Sequence, residues 1–127
     1  MVEGARGQPM ITLKDRLSIL HGLDKLIAYS YETAKEKGWH EQPREFGTII
    51  ALIHSELSEA LEEFRAGKDR MYIGEGGKPE GIAVEFADVI IRVADACGEL
   101  GIDLPTALLA KMNYNKTRPY RHGGKTC

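Results

Sequence analysis

The chain has 127 residues, 43% hydrophobic and 28% charged, with a formal net charge of -2 and a pI near 6.1. That length suits one domain with a real core, and the composition fits neither a disordered chain nor a dedicated binder of nucleic acid or anionic membrane, which carries a basic balance. No apolar run approaches the roughly 18 to 20 residues of a membrane span, and the first residues lack the apolar centre of a signal peptide, so cytoplasm is the default compartment.

Residues 1–9 are glycine-bearing and aperiodic and read as a disordered leader or cloning remnant, with Met10 a candidate start. From about Thr12 to Lys37 the apolar residues Leu13, Leu17, Leu20, Leu23, Leu26, Ile27, Tyr31 and Ala34 recur at three- and four-residue intervals. This predicts a first helix ended by Gly38. Trp39 to Pro43 is a connection, and a second helix is expected from about Arg44 to Ala66. The segment from Gly67 to Lys78 holds four glycines and reads as a loop before a third helix, about Pro79 to Leu100. Asp103 is placed to cap a fourth helix that accepts Pro105 in its first turn and runs to about Lys116. No segment shows sustained strand alternation, so the expected class is all-α, a four-helix bundle over residues 10–118 with a basic tail at 119–127.

Two acidic pairs stand out, Glu56 with Glu59 and Glu85 with Asp88, each one helical turn apart. On the second helix Ile49, Leu52, Ile53, Leu57, Ala60, Leu61 and Phe64 form the arc expected to be buried. Glu56 and Glu63 fall inside that arc, and Glu59 lies at its edge, about 60° from Glu56. On the third helix the arc is Ile82, Phe86, Val89, Ile90, Val93, Ala96, Cys97 and Leu100, with Glu85 and Asp88 on its border. Ionised acids near a core need cations, and four converging carboxylates make a hard oxygen site suited to Mg²⁺ or Mn²⁺, ions that in turn suit a polyphosphate substrate. The plainer reading is a set of solvated or paired faces, with Arg92 pairing with Asp88 four residues away. Two such pairs on neighbouring helices favour the metal. Glu63 is open between a base, a supporting acid and a partner for Lys or Arg.

Glu-x-x-His pairs, which di-iron bundles require, are missing from both acidic pairs. Cys97 and Cys127 lack metal or redox spacing. Gly123-Gly124-Lys125-Thr126 looks like the end of a P-loop, but Pro119 stands where the leading glycine belongs and no strand precedes it. Lys111, Asn115, Lys116 and Arg118 gather donors at the end of the fourth helix, where they serve either phosphate oxygens or the helix dipole.

The pattern E-x-x-E, 25 residues, E-x-x-D, then a Lys/Asn/Arg-rich tail resembles the MazG-like all-α nucleoside triphosphate pyrophosphohydrolases. Trp39-His40-Glu41-Gln42-Pro43-Arg44 is similar to a segment of the small dCTP pyrophosphatase group, as are Gly101 to Pro105 and Lys111 to Asn115. The resemblance implies Mg²⁺-dependent hydrolysis of a (deoxy)nucleoside triphosphate to the monophosphate and pyrophosphate, in a nucleotide-housekeeping role. It matches Glu56, Glu59, Glu85 and Asp88 to metal ligands, and Glu59 and Glu63 are the candidates for the catalytic acid or base. Lys111, Asn115 and Arg118 match phosphate-side positions, with Lys116 beside them, and Trp39 and His40 match a segment near base or sugar. It also implies a homodimer or homotetramer, while the charge balance and the lack of a long apolar run lead to the expectation of no nucleic-acid or membrane partner. The alternative is a nucleotide-binding regulatory or assembly module without significant turnover.

Overall fold

The computed structural model describes residues 10–126, so the expected leader at 1–9 and the thiol of Cys127 lie outside the described residues. The class is all-α, as expected. The long helices are α1 (Leu13–Glu36), α2 (Phe46–Arg65), α3 (Ile82–Leu100) and α4 (Leu104–Thr117), followed by a one-turn α5 (Arg121–Gly124). None of them is long and apolar enough to cross a membrane. The chain divides into two compact units, one of residues 26–102 and one that joins residues 10–25 to residues 103–126.

In the 26–102 unit, α1 ends in a full Schellman cap. Gly38 has φ +85°, its N–H donates to the Lys35 carbonyl at 3.0 Å, and the Trp39 N–H donates to the Ala34 carbonyl at 3.0 Å. The chain leaves extended through Glu45 and begins α2 at Phe46, two residues later than expected. α2 and α3 pack against each other and carry the acidic pairs. α1 approaches α3 closely at Gly98, where a Cβ would stand 2.7 Å from the Tyr31 Cβ. The absent side chain is therefore a packing requirement.

The expected loop contains a short hairpin. Strands β1 (Tyr72–Ile73) and β2 (Pro79–Glu80) pair antiparallel, with Tyr72 opposite Glu80 and Ile73 opposite Pro79, around a 3₁₀ turn at Glu75–Gly77. Pro79 thus belongs to a strand end and does not start α3, which begins at Ile82. The break is Gly81, with φ +114° and a hypothetical Cβ 2.5 Å from the Arg70 carbonyl oxygen, a conformation and a gap that only glycine fits.

The predicted apolar arcs are only partly buried. Ile49, Ala60, Ala96 and Cys97 are buried, but Leu57, Leu61, Phe64, Phe86, Ile90 and Leu100 are exposed, Phe64 at 69%. Helical periodicity marks a face as apolar without saying what covers it, and these positions remain open to solvent in the single chain.

In the other unit, Asp103 caps α4 as expected, its Oδ1 accepting from the Thr106 N–H at 3.1 Å, with Pro105 in the first turn. The one-turn α5 replaces part of the expected irregular tail.

Candidate metal and nucleotide site

Glu56, Glu59 and Glu85 come together. Each offers one carboxylate oxygen, and those oxygens all lie within 4.8 Å of one another. Helical geometry explains the convergence: Glu56 and Glu59 are one turn apart on α2, and the packed α3 brings Glu85 against them. Glu56 is 7% exposed, Glu85 is half-buried and Glu59 is open to solvent. Asp88 falls outside this trio, one turn along α3 from Glu85, and lines the adjacent cleft with Glu56.

The site carries more negative charge than its protein cations balance. Burial, then hydrogen bonding to Glu56 and Glu59 and their charge, pushes the Glu85 carboxyl up to about 7. Its Oε2 is buried without a hydrogen-bond partner. Burial acts to raise Glu56 as well, but hydrogen bonds from Arg92, Glu85 and Glu59 outweigh it and hold Glu56 below the usual carboxylate range. The pair therefore shares a proton in favour of Glu85. Burial and the neighbouring Glu56 charge raise Asp88, against the opposing pull of Arg92 and Lys78. An orphaned carboxylate oxygen in a cluster of hard donors is what an oxygen-seeking divalent cation would satisfy.

A cleft of about 500 Å³ opens beside these acids. Its lining includes Tyr29, Trp39, Arg44, Glu56, Asp88 and Arg92, so two exposed aromatic side chains and two of the acids share one cavity. Trp39 is where the sequence placed a nucleotide contact, whereas Tyr29, on the solvent side of α1 by pattern, gave no such signal.

His40 occupies a different environment from its neighbour. Its Nε2 lies 2.7 Å from Asp95 Oδ1, and its Nδ1 lies 3.2 Å from Glu99 Oε1, at ion-pair distance but without hydrogen-bond geometry. Arg44 Nη2 donates to Asp95 Oδ2 at 3.1 Å, and the Tyr31 ring meets the imidazole edge-on at 5.1 Å. Both ends of the Trp39 segment are thereby tied to α3. Asp95 and Glu99 were not singled out from the sequence, although an acid flanked by Ala94, Ala96 and Cys97 in a buried run was a signal available to find Asp95.

Glu63 is not part of the acidic trio. The Tyr72 hydroxyl, on β1, donates to its carboxylate at 2.9 Å and 3.1 Å to the two oxygens. Arg92 does not bond Asp88, the pairing that the plainer reading of the acids offered. Its Nε donates to Glu56 Oε1 at 2.8 Å, across the helix pair. Lys111, Asn115, Lys116 and Arg118 belong to the other unit, on α4 and at its C-cap. There Lys111 and Arg118 lie 5.1 Å and 5.6 Å from the Tyr114 ring centre.

The chain is similar to dCTP pyrophosphatase 1 of Homo sapiens. Identity is 32% over 96 residues, which is 72% of this chain and 55% of the human protein, so the chain spans about half the length of the curated relative it matches. No family model matches the chain. No solved structure matches it. The similarity supports a relationship to a nucleoside triphosphate pyrophosphatase in general terms.

Proposed function

We propose that this protein is a Mg²⁺-dependent nucleoside triphosphate pyrophosphohydrolase, cleaving a (deoxy)nucleoside triphosphate between its α and β phosphates to release the monophosphate and pyrophosphate. The observation that carries the reading is the juxtaposition of a carboxylate trio with an aromatic-walled cleft: Glu56, Glu59 and Glu85 on one side, Trp39 and Tyr29 on the other. The name of the human relative points to the same class of substrate.

Glu56, Glu59, Glu85 and Asp88 would hold Mg²⁺, or Mn²⁺ by the same oxygen chemistry. The orphaned Glu85 Oε2 and the crowding that raises its carboxyl are what such an ion relieves. When bound, the ion neutralises triphosphate charge and acidifies water for attack. In the reaction a water oxygen bonds to the α-phosphorus while the bond from that phosphorus to the α–β bridging oxygen breaks, and pyrophosphate leaves with the bridging oxygen. Glu59, the solvent-open acid of the trio, is suited to take the proton of that water. Glu63, one turn further along α2 and held by Tyr72, is the supporting acid of the same face.

Trp39 and Tyr29 offer apolar faces on which a base stacks. His40 acts on substrate through Trp39, by fastening the segment that carries it to Asp95. Lys111, Asn115, Lys116 and Arg118 supply donors for phosphate oxygens. The exposed Leu57, Leu61, Phe64, Phe86 and Ile90 are the surface on which a second copy would dock, giving a homodimer or homotetramer.

A panel of canonical and modified deoxynucleoside triphosphates with Mg²⁺, read as pyrophosphate release, tests the reading. Turnover of at least one with pyrophosphate as product supports it. Mg²⁺-dependent binding across the panel without turnover replaces it with a nucleotide-binding module.

A further inference from the structure

Arg92 is placed between the acidic trio and the cleft in a way that ordinary charge balance does not require. It follows Asp88 by four residues and Glu85 by seven, so it shares their side of α3. It nevertheless passes over Asp88 to bond Glu56 on α2, and does so through Nε alone, at 2.8 Å to Oε1. Its side chain is 36% exposed against 10% for that of Glu56, so the guanidinium lies where the buried acid meets the open cleft, whose lining includes Arg92.

A guanidinium has five N–H donors and frequently engages a carboxylate with two of its nitrogens; Arg92 uses one, and that one is Nε, at the root of the fork. Among the described residues the hydrogen bond and the ion pair of Arg92 are both made through Nε, and neither terminal nitrogen takes part in them. The other arginine of the cleft is differently committed: Arg44 uses a terminal nitrogen on Asp95, beside Glu99. Arg92 is thus an oriented fork, anchored at its root by Glu56 with its paired donors unused. Planar paired donors match two oxygens of a phosphate.

We propose that Arg92 is a phosphate-binding residue of this site: Glu56 fixes its Nε, and its terminal nitrogens take oxygens of the polyphosphate chain of the bound nucleotide. This rests on the polyphosphate reading above and assigns it a residue outside the acidic quartet and outside the donors of α4. Glu56 keeps its second oxygen for a metal ion, so both tasks fit one carboxylate.

The test compares wild type with Arg92→Ala and Arg92→Lys. Calorimetry reads affinity for inorganic tripolyphosphate in Mg²⁺ and for Mg²⁺ alone, kinetics read kcat and KM with pyrophosphate detection, and melting curves report folding. The expectation is a loss of about tenfold or more in tripolyphosphate affinity for the alanine variant. Only partial recovery is expected with lysine, which keeps the charge without the fork, and Mg²⁺ affinity is expected to be retained. Added guanidinium ion is expected to restore part of the lost kcat in the alanine variant. Unchanged tripolyphosphate affinity and kcat overturn the proposal, as does a defect confined to Mg²⁺ binding, which makes Arg92 a partner of Glu56 only. If the alanine variant does not fold, the lysine variant carries the measurement by the same criteria. If wild type turns over no nucleotide yet loses tripolyphosphate affinity on substitution, the hydrolase reading fails and the Arg92 assignment stands. If wild type binds no tripolyphosphate, both fall.

Discussion

Glu56 and Glu85 meet from neighbouring helices with their oxygens inside the same 4.8 Å cluster, and they shift in opposite directions: Glu85 up to about 7, Glu56 below its usual range. Burial acts to raise both, and hydrogen bonds led by that of Arg92 pull Glu56 back down and leave Glu85 to hold the proton. A cation entering the cluster must displace that proton. Mg²⁺ affinity should therefore rise with pH through about 7 and level off above it, with proton release on the acidic side. Calorimetry at about pH 6 and about pH 8 in buffers of different ionisation enthalpy reads both effects, and a pH-independent affinity with no proton release would count against the assignment of Glu85 as a ligand.

The same proton sets a stability trend without metal. The Glu85 carboxyl titrates near 7 in the folded chain against an ordinary value of 4.5. The folded state thus binds the proton more tightly than the unfolded one across that window, and stability contributed by the protonated form is lost as pH rises from 4.5 through about 7. Glu85→Gln removes the loss. It should raise the metal-free melting temperature at about pH 8 by roughly 3 °C, corresponding to about 1 kcal/mol after discounting for solvent screening, while abolishing the rise that Mg²⁺ gives wild type. Thermal melts with and without Mg²⁺ check both halves.

His40 holds the Trp39 segment through a buried contact to Asp95, which is 8% exposed. His40→Ala leaves Asp95 and Glu99 with Arg44 alone and should cost about 3 kcal/mol by urea denaturation. Trp39→Ala, at an exposed position, should leave stability within about 0.5 kcal/mol and raise KM. The pair of variants separates fastening the segment from contacting the base.

The uncovered apolar positions on α2 predict self-association. Leu57, Leu61 and Phe64 recur at four- and three-residue intervals and are all exposed. Light scattering on wild type should give a multiple of the 14.1 kDa chain mass. Leu61→Asp should lower it toward the monomer, because an unpaired charge at a packed apolar contact is costly. A monomeric wild type contradicts a second copy as the cover for this face.

The elements and the acids were legible because their signals are local. The Gly38 and Asp103 caps follow from one or two residues each, and the E-x-x-E and E-x-x-D spacings place acids on one side of a helix whatever lies opposite. What the sequence hid depends on distant partners. Spacing offered Asp88 as the plain partner of Arg92 on one helix, and nothing local pointed to Glu56, which its long side chain reaches across to. Asp95 acquires its meaning only from His40 and Arg44, more than fifty residues earlier. Two-residue strands are too short to show alternation, so the hairpin at Tyr72–Ile73 and Pro79–Glu80 left no periodic trace. Exposure of Leu57 and Phe64 was equally hidden, since an apolar stripe looks the same whether its cover is this chain or another.

The most direct test of the central claim is product analysis of Mg²⁺-supported turnover by wild type, Glu59→Gln and Asp88→Asn, with folding checked by circular dichroism. The account predicts nucleoside monophosphate and pyrophosphate in equal amounts from wild type, and a rate lower by roughly 100-fold or more in each folded variant. Orthophosphate as the sole phosphate product, or turnover unaffected by either substitution, would contradict it.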